Sequence, residues 1–450
     1  MSRLKYLPHV DGLRAIAVLS VVFFHLGFNW IPGGFVGVDV FFVISGYLIT
    51  RLLRDEFFST GTISFRSFYS RRIKRLGPAL LVVLAITLLV GFFVSSPGHF
   101  RDTAGQTASS ILSVSNVYFW LNADYFDTNT LVKPLLHTWS LSIEEQFYLV
   151  WPLTLLLLMK TSVRRWWVPT LLAFLVFTSF GLNYVFKDGE SSIFNQLFPS
   201  YGHLVTNGKS TLFYGLPFRA YELAIGALIA FIPKNKASNL TSSISFTAGL
   251  GLIGYAFFVF EETLLIPYKW AIIPCLGAAL IIYFGEKSKL SSLLANRYVV
   301  AVGLVSYAWY LTHWPIIAYA RYLEMDFSWS NQVLLFVVSF ISALALNKWV
   351  EKPLRYSSKS QVGVNIGILV AVITLFALSL AIRLGDGWQW RLSERSTVEM
   401  AEDSNAFHRK FYGGAGYPYS GRIAESPAPK IVLTGDSHAR HYAAGLDDVM

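Results

Sequence analysis

The chain has a single cysteine, Cys275, in 450 residues. One thiol cannot close a disulfide within the chain, so no disulfide framework supports this fold, and cysteine usage says nothing about redox compartment. Charge is also scarce. Asp, Glu, Lys and Arg together make up 14% of the residues, against roughly 25% in a soluble domain. Long internal repeats are missing. So is a cleavable leader: the first apolar run follows a short basic start (Arg3, Lys5) without a small-residue cleavage site, and it is expected to stay as a helix.

What is abundant is apolar surface. Hydrophobic residues make up 54% of the chain and aromatic residues 16%. That composition implies an all-α polytopic membrane protein with Trp and Tyr at the interfaces. The net charge of +10 could suggest nucleic acid. The Lys and Arg lie in short loops between apolar runs, however, so the expected partner is a lipid bilayer and not a nucleic acid.

Eleven apolar runs are expected to span: Leu13–Trp30, Phe35–Leu53, Pro78–Ser95, Ile143–Met159, Val168–Phe186, Leu212–Ile232, Ser243–Phe260, Trp270–Phe284, Val299–Tyr319, Val333–Val350 and Val362–Ile382. Most approach the ~20 residues that a helix needs to cross a bilayer. The basic clusters Arg71–Arg75, Lys160 to Arg165, Lys234 and Lys236, Lys287 and Lys289, and Lys352 to Lys359 all fall on one side. The positive-inside rule makes that side cytoplasmic, with the N-terminus in and the C-terminus out. Counting the stretch Gly105–Leu121 as a further span would invert every later loop. With its Ser, Asn and Gln, it reads as an interfacial or re-entrant segment on the outer side.

The chemistry-bearing residues begin with Arg14 and His25. They are eleven residues apart, about three helical turns, which puts them on one face roughly 16 Å apart. An ionisable residue within the hydrocarbon reads as functional by default, although a histidine hydrogen-bonded inside a bundle is a sound structural alternative. Arg72 and Arg75 lie at i, i+3 and present one face, which suits a phosphate or pyrophosphate ligand; plain topogenic charge is the competing explanation. In the stretch HTWSLSIEEQFYLVWP, Ser142 and Glu145 read as a capping box at the start of the fourth span, which leaves Glu144 free for another role. His137 precedes that helix and is expected to line an outer-side cavity. His313 lies beside Pro315, whose missing N–H should free the Leu311 carbonyl and kink the ninth span. Asp39 reads as a structural partner. Near the C-terminus, KIVLTGDSHARH is a short buried-strand pattern followed by a turn that would expose Ser437.

Taken together, these residues resemble the acyltransferase-3 family of bacterial membrane acyltransferases. The resemblance rests on ordered motifs from Tyr6 to Arg355: HVDGLRAIAV, GGFVGVDVFFVISGYLI, RRIKR, HTWSLSIEEQFYLVWP, SYAWYLTHWP and VEKPLR. The tail resembles the first block of an SGNH hydrolase-type domain with Ser437 as its nucleophile. The pairing is similar to that in enzymes that O-acetylate lipopolysaccharide O-antigen or peptidoglycan. It implies an acyltransferase domain over residues 1–360, an additional helix over 361–383, a periplasmic linker over 384–429 and the truncated start of an α/β SGNH domain over 430–450. The later Gly, Asn and Asp-x-x-His blocks do not occur before Met450, so that domain is expected to be a fragment.

The resemblance further implies a multi-pass protein of the bacterial inner membrane. Acetyl-CoA would serve as co-substrate, a glycan such as O-antigen would be the acceptor, and no metal would be needed. Arg14, Arg72 and Arg75 would hold the donor. His25 would act as general base or acyl carrier, Glu144 would sit on the acceptor side, and Ser437 would receive the acyl group. A proton-coupled transporter of lipid-linked sugars would also use buried His, Asp and Glu. It has no need of the basic inner mouth or the GDSH tail. A membrane scaffold for an outer domain would leave His25 and His313 without a purpose.

Overall fold

The computed structural model describes residues 5–123, 130–160, 167–187, 208–355 and 361–392, and these are helical with no strand among them. Ser437, the SGNH-like stretch and most of the expected linker lie outside the described residues. Among the described residues, nine helices are long and apolar enough to cross a membrane. Two of the eleven expected spans fall short of that standard. Ile272–Phe284 (α11) has only 13 residues. Pro8–His25 (α1) has 18, and its Asp11, Arg14 and two histidines lower its mean hydropathy.

Several boundaries move for local reasons. Pro8 in the first turn starts α1 early, and Gly27, at φ +82°, turns the chain just after it. His25 is therefore the last residue of its helix and not a mid-helix residue. The basic cluster Arg71–Arg75 is not a loop. It belongs to α3, Phe65–Val94, capped by the Ser64 side chain. Arg and Lys are good helix formers, and their long stems reach out from a helix to the interface. The sixth span is broken into α8 (Gly208–Tyr214) and α9 (Leu216–Phe231) by Gly215 and Pro217. The doubtful stretch before Leu121 is two short helices, α4 (Pro97–Ile111) and α5 (Ser115–Leu121), divided at Ser113 with φ 56°.

The remaining helices are α2 (Gly37–Thr60), α6 (Thr138–Lys160), α7 (Trp167–Phe186), α10 (Asn239–Val259), α12 (Arg297–Tyr322), α13 (Trp329–Leu346), α14 (Lys352–Arg355) and α15 (Gln361–Leu384). A π-helical turn, Asn347–Glu351, joins α13 to α14. The closest pairings are α1 with α12, α2 with α9, and α10 with α11. Small residues set them. A Cβ on Gly303 of α12 would collide with the Asp11 carbonyl of α1, and one on Gly46 of α2 with the Leu223 carbonyl of α9. Membrane helices gain contact by this kind of backbone approach. α15 packs on α3 and α4. The chain after it does not leave the molecule at once, because Arg391 donates hydrogen bonds to the Phe92 and Ser95 carbonyls at the end of α3.

Candidate active site

Histidines brought together from three distant parts of the sequence define one end of the candidate site. His25 closes α1, His137 precedes α6, and His313 sits mid-way along α12. His25 Nδ1 lies 2.9 Å from His313 Nε2, with the two rings nearly parallel at an interplanar angle of 12°. His313 Nδ1 faces two main-chain carbonyls, Tyr310 at 2.7 Å and Trp309 at 3.1 Å. Carbonyls only accept, so His313 Nδ1 carries the proton. Neutral His313 then offers Nε2 as an acceptor, and His25 Nδ1 must donate to it. The lone pair of neutral His25 is left on Nε2, which has no hydrogen bond among the described residues. Trp314 packs edge-on against the His25 ring at 4.5 Å between centroids, and Arg321 donates to the His25 carbonyl at 2.9 Å.

His137 completes the group. Its ring centroid is 5.9 Å from that of His313, and both of its ring nitrogens are buried without a hydrogen-bond partner. The Leu311 carbonyl, which Pro315 deprives of its helical donor, lies beside the His137 ring. The Tyr310 hydroxyl donates to the His137 carbonyl at 3.0 Å and meets the Ser140 hydroxyl at 2.6 Å. This fixes the approach of α6 to α12.

A second group of polar residues comes from α1, α3 and α6. The Arg72 guanidinium stacks 4.0 Å above the Tyr148 ring, and the Tyr148 hydroxyl donates to Glu144 at 2.7 Å. Glu144 therefore stands with the arginines and not beside the histidines, where an acceptor-side role would put it. Arg14 and Arg72 are within electrostatic reach of both Glu144 and Arg75. Arg14 is itself paired with Asp11 at 3.1 Å. The Nε atoms of Arg72 and Arg75 are buried with no partner, and neither residue forms an ion pair among the described residues. Their donor capacity is the kind that a phosphate group takes up. The expected capping box does not form. α6 begins four residues before Ser142, whose hydroxyl instead receives the Ser115 N–H at 3.1 Å and ties α5 to α6.

Asp39 lies in a buried ion-paired cluster whose other members the sequence reading missed. Arg219 Nη1 is 2.9 Å from Asp39 and 3.3 Å from Glu222, with all three side chains at most 2% exposed. Trp139 and Phe213 cover the guanidinium at 4.8 and 4.9 Å. Arg219 and Glu222 sit at i, i+3 inside the apolar run of α9. Two charges of opposite sign in such a run were the signal available.

This arrangement lies within a match to an acyltransferase domain that covers residues 7–348. The chain belongs to the acyltransferase-3 family. It is 33% identical over 371 residues to the peptidoglycan O-acetyltransferase OatA of Listeria monocytogenes, with 78% of this chain and 56% of that protein covered. It is 32% identical over 369 residues to the O-acetyltransferase OatA of Staphylococcus aureus, with 78% and 57% covered. The chain thus spans a little over half the length of these relatives. No solved structure matches it.

Proposed function

We propose that this protein is the membrane part of an O-acetyltransferase that passes an acetyl group from cytoplasmic acetyl-CoA to a glycan outside the membrane. The observation that carries the reading is the oriented pair of His25 and His313. It leaves an unprotonated Nε2 on a histidine at a helix end, and that is what a general base or an acyl carrier needs. Support for the donor comes from Arg72 and Arg75, whose unsatisfied N–H groups suit the CoA phosphates. Arg14 and His25 remain roughly 16 Å apart along α1, so an extended donor would run from the arginines toward the histidines. Glu144, anchored by Tyr148, would orient Arg72 instead of meeting the acceptor. The full set of eleven spans, N-terminus in and C-terminus out, belongs to this proposal, since a cytoplasmic donor requires the arginines inside. The Listeria relative is named for peptidoglycan, which favours a cell-wall glycan over O-antigen as the acceptor. An SGNH domain begun at Ser437 would take the acyl group onward.

The test is CoA release from acetyl-CoA by the purified protein, with and without a peptidoglycan fragment. Acceptor-stimulated release that disappears in His25→Ala, with an unchanged melting temperature, is expected. Normal release per folded molecule in that variant would remove His25 from the chemistry.

A further inference from the structure

A cavity of about 550 Å³ opens where the first turns of α3 meet α15. Its volume falls within the roughly 300–1,000 Å³ of small-molecule sites. Its walls are unusual for a chain this apolar. Ser64, Arg66, Ser67, Tyr69, Ser70 and Asn365 line it, and Ile73 is the one aliphatic wall. On α3 these residues lie on a different face from Arg72 and Arg75, so the cavity is separate from the candidate donor site.

Two side chains in it have unmet capacity. Asn365 donates to the Ser70 hydroxyl at 3.4 Å, but its Oδ1 is buried with no partner. Arg66 is exposed and has no ion pair among the described residues. Its neighbour Arg71, in contrast, is held by Glu56 at 3.6 Å and by the Ser67 hydroxyl. Glu56 also accepts the Ser64 N–H at 3.0 Å, so the nearby carboxylate is already engaged. The far wall, α15, lies beyond the part matched by the family, and most of its described side chains are exposed. A polar cavity with a guanidinium that has no ion pair among the described residues thus opens between the family core and an added helix whose outer surface suits lipid tails. Basic pockets between membrane helices are places where anionic headgroups lodge.

We propose that this cavity binds the phosphate headgroup of an anionic phospholipid, with Arg66 on the phosphate, the Ser64 and Ser67 hydroxyls beside it, and Asn365 receiving a headgroup hydroxyl. The site is independent of the acetyl-transfer reading.

The experiment uses the full chain in nanodiscs of phosphatidylcholine with a minor fraction of phosphatidylglycerol, and counts retained lipid by native mass spectrometry. Wild type should retain phosphatidylglycerol, and Arg66→Gln should weaken that retention about tenfold or more, the scale of one charged hydrogen bond. Asn365→Leu, which keeps the helix apolar, should weaken it less. Equal retention by wild type and Arg66→Gln would overturn the proposal. So would displacement of the lipid by soluble glycerol phosphate at equal concentration, because the ligand would then be a free phosphate. Loss of CoA affinity in Arg66→Gln with lipid retention intact would overturn it too, by assigning the cavity to the donor.

Discussion

Two buried polar clusters lie in this protein, and they are built on opposite principles. Around Arg219, nearly every polar atom has a partner: two carboxylates and the Phe213 carbonyl at 2.8 Å, with the adjoining Trp139 and Phe213 rings packed against the guanidinium. Glu222 Oε2 is the exception. Around His313, the pairing stops short. One histidine is locked by carbonyls and the next by the first; both nitrogens of His137 are then buried without a partner, and His25 Nε2 has no hydrogen bond among the described residues. A cluster kept for folding saturates its hydrogen bonds, because each unmet buried group costs about 1–3 kcal/mol. A cluster kept for chemistry bears that cost so that an atom stays available.

The largest test of this contrast is His25→Ala. Acetyl transfer per folded molecule should fall by about 10²–10⁴-fold, the usual worth of a positioned base, while the melting temperature stays near wild type. His313→Ala should act in the same direction through His25, by removing the acceptor that fixes its tautomer. A variant that melted early and lost activity only in proportion to its folded fraction would put the histidines in the same class as Arg219.

Next in size is Asp39→Ala. It leaves two charges, Arg219 and Glu222, with one hydrogen-bond link fewer in a buried site. Breaking a buried pair costs about 3–5 kcal/mol. Here the loss should appear as a lower melting temperature in detergent, with acetyl transfer per folded molecule preserved. A selective loss of turnover with normal stability would erase the distinction between the two clusters.

The Arg72→Ala, Arg75→Ala double variant should sit between these cases. Charged hydrogen bonds are worth about 1.5–3 kcal/mol each, so the KM for acetyl-CoA should rise tenfold or more while the protein remains folded. An unchanged KM would make the cluster topogenic only.

The smallest effect belongs to the surface pair of Lys5 and Glu286. The hydrogen bond from Lys5 holds the Glu286 carboxyl below its ordinary range. A lowered folded-state pKa means that the pair stabilises above the usual carboxylate pKa of 4.5, and that this is lost as pH falls through the folded value. Both side chains are half exposed or more, so Glu286→Gln should cost under about 1 kcal/mol at neutral pH and nothing in acid. A melting-temperature difference between the two proteins that grew as pH fell would contradict the sign.

The sequence made the membrane-helical class, most of the spans and the family motifs readable, because hydropathy and local order are one-dimensional signals. It marked His25, His313 and Asp39 as unusual for the same reason: a polar residue in an apolar run stands out. It could not supply the pairings. His25 and His313 are 288 positions apart and Asp39 and Arg219 are 180 apart, and no local pattern records which helices touch. Local pattern also misled at Ser142 and Glu145, where four residues look like a cap but α6 had already begun. Glu144 was given an acceptor-side role only by the family resemblance. Its actual neighbours are Tyr148, one turn further along α6, and Arg72 of α3, which stacks on the Tyr148 ring.

The contact of Gly303 with the Asp11 carbonyl has a mechanical consequence. The two imidazoles ride on α1 and α12, and these helices meet there backbone to backbone, with no side chain between them to act as a bearing. Such a seam resists sliding, so the histidine pair travels as one stiff plank. Whatever motion the molecule makes must hinge along other seams, so a group that reaches the imidazoles has to come to them because they cannot be carried to it.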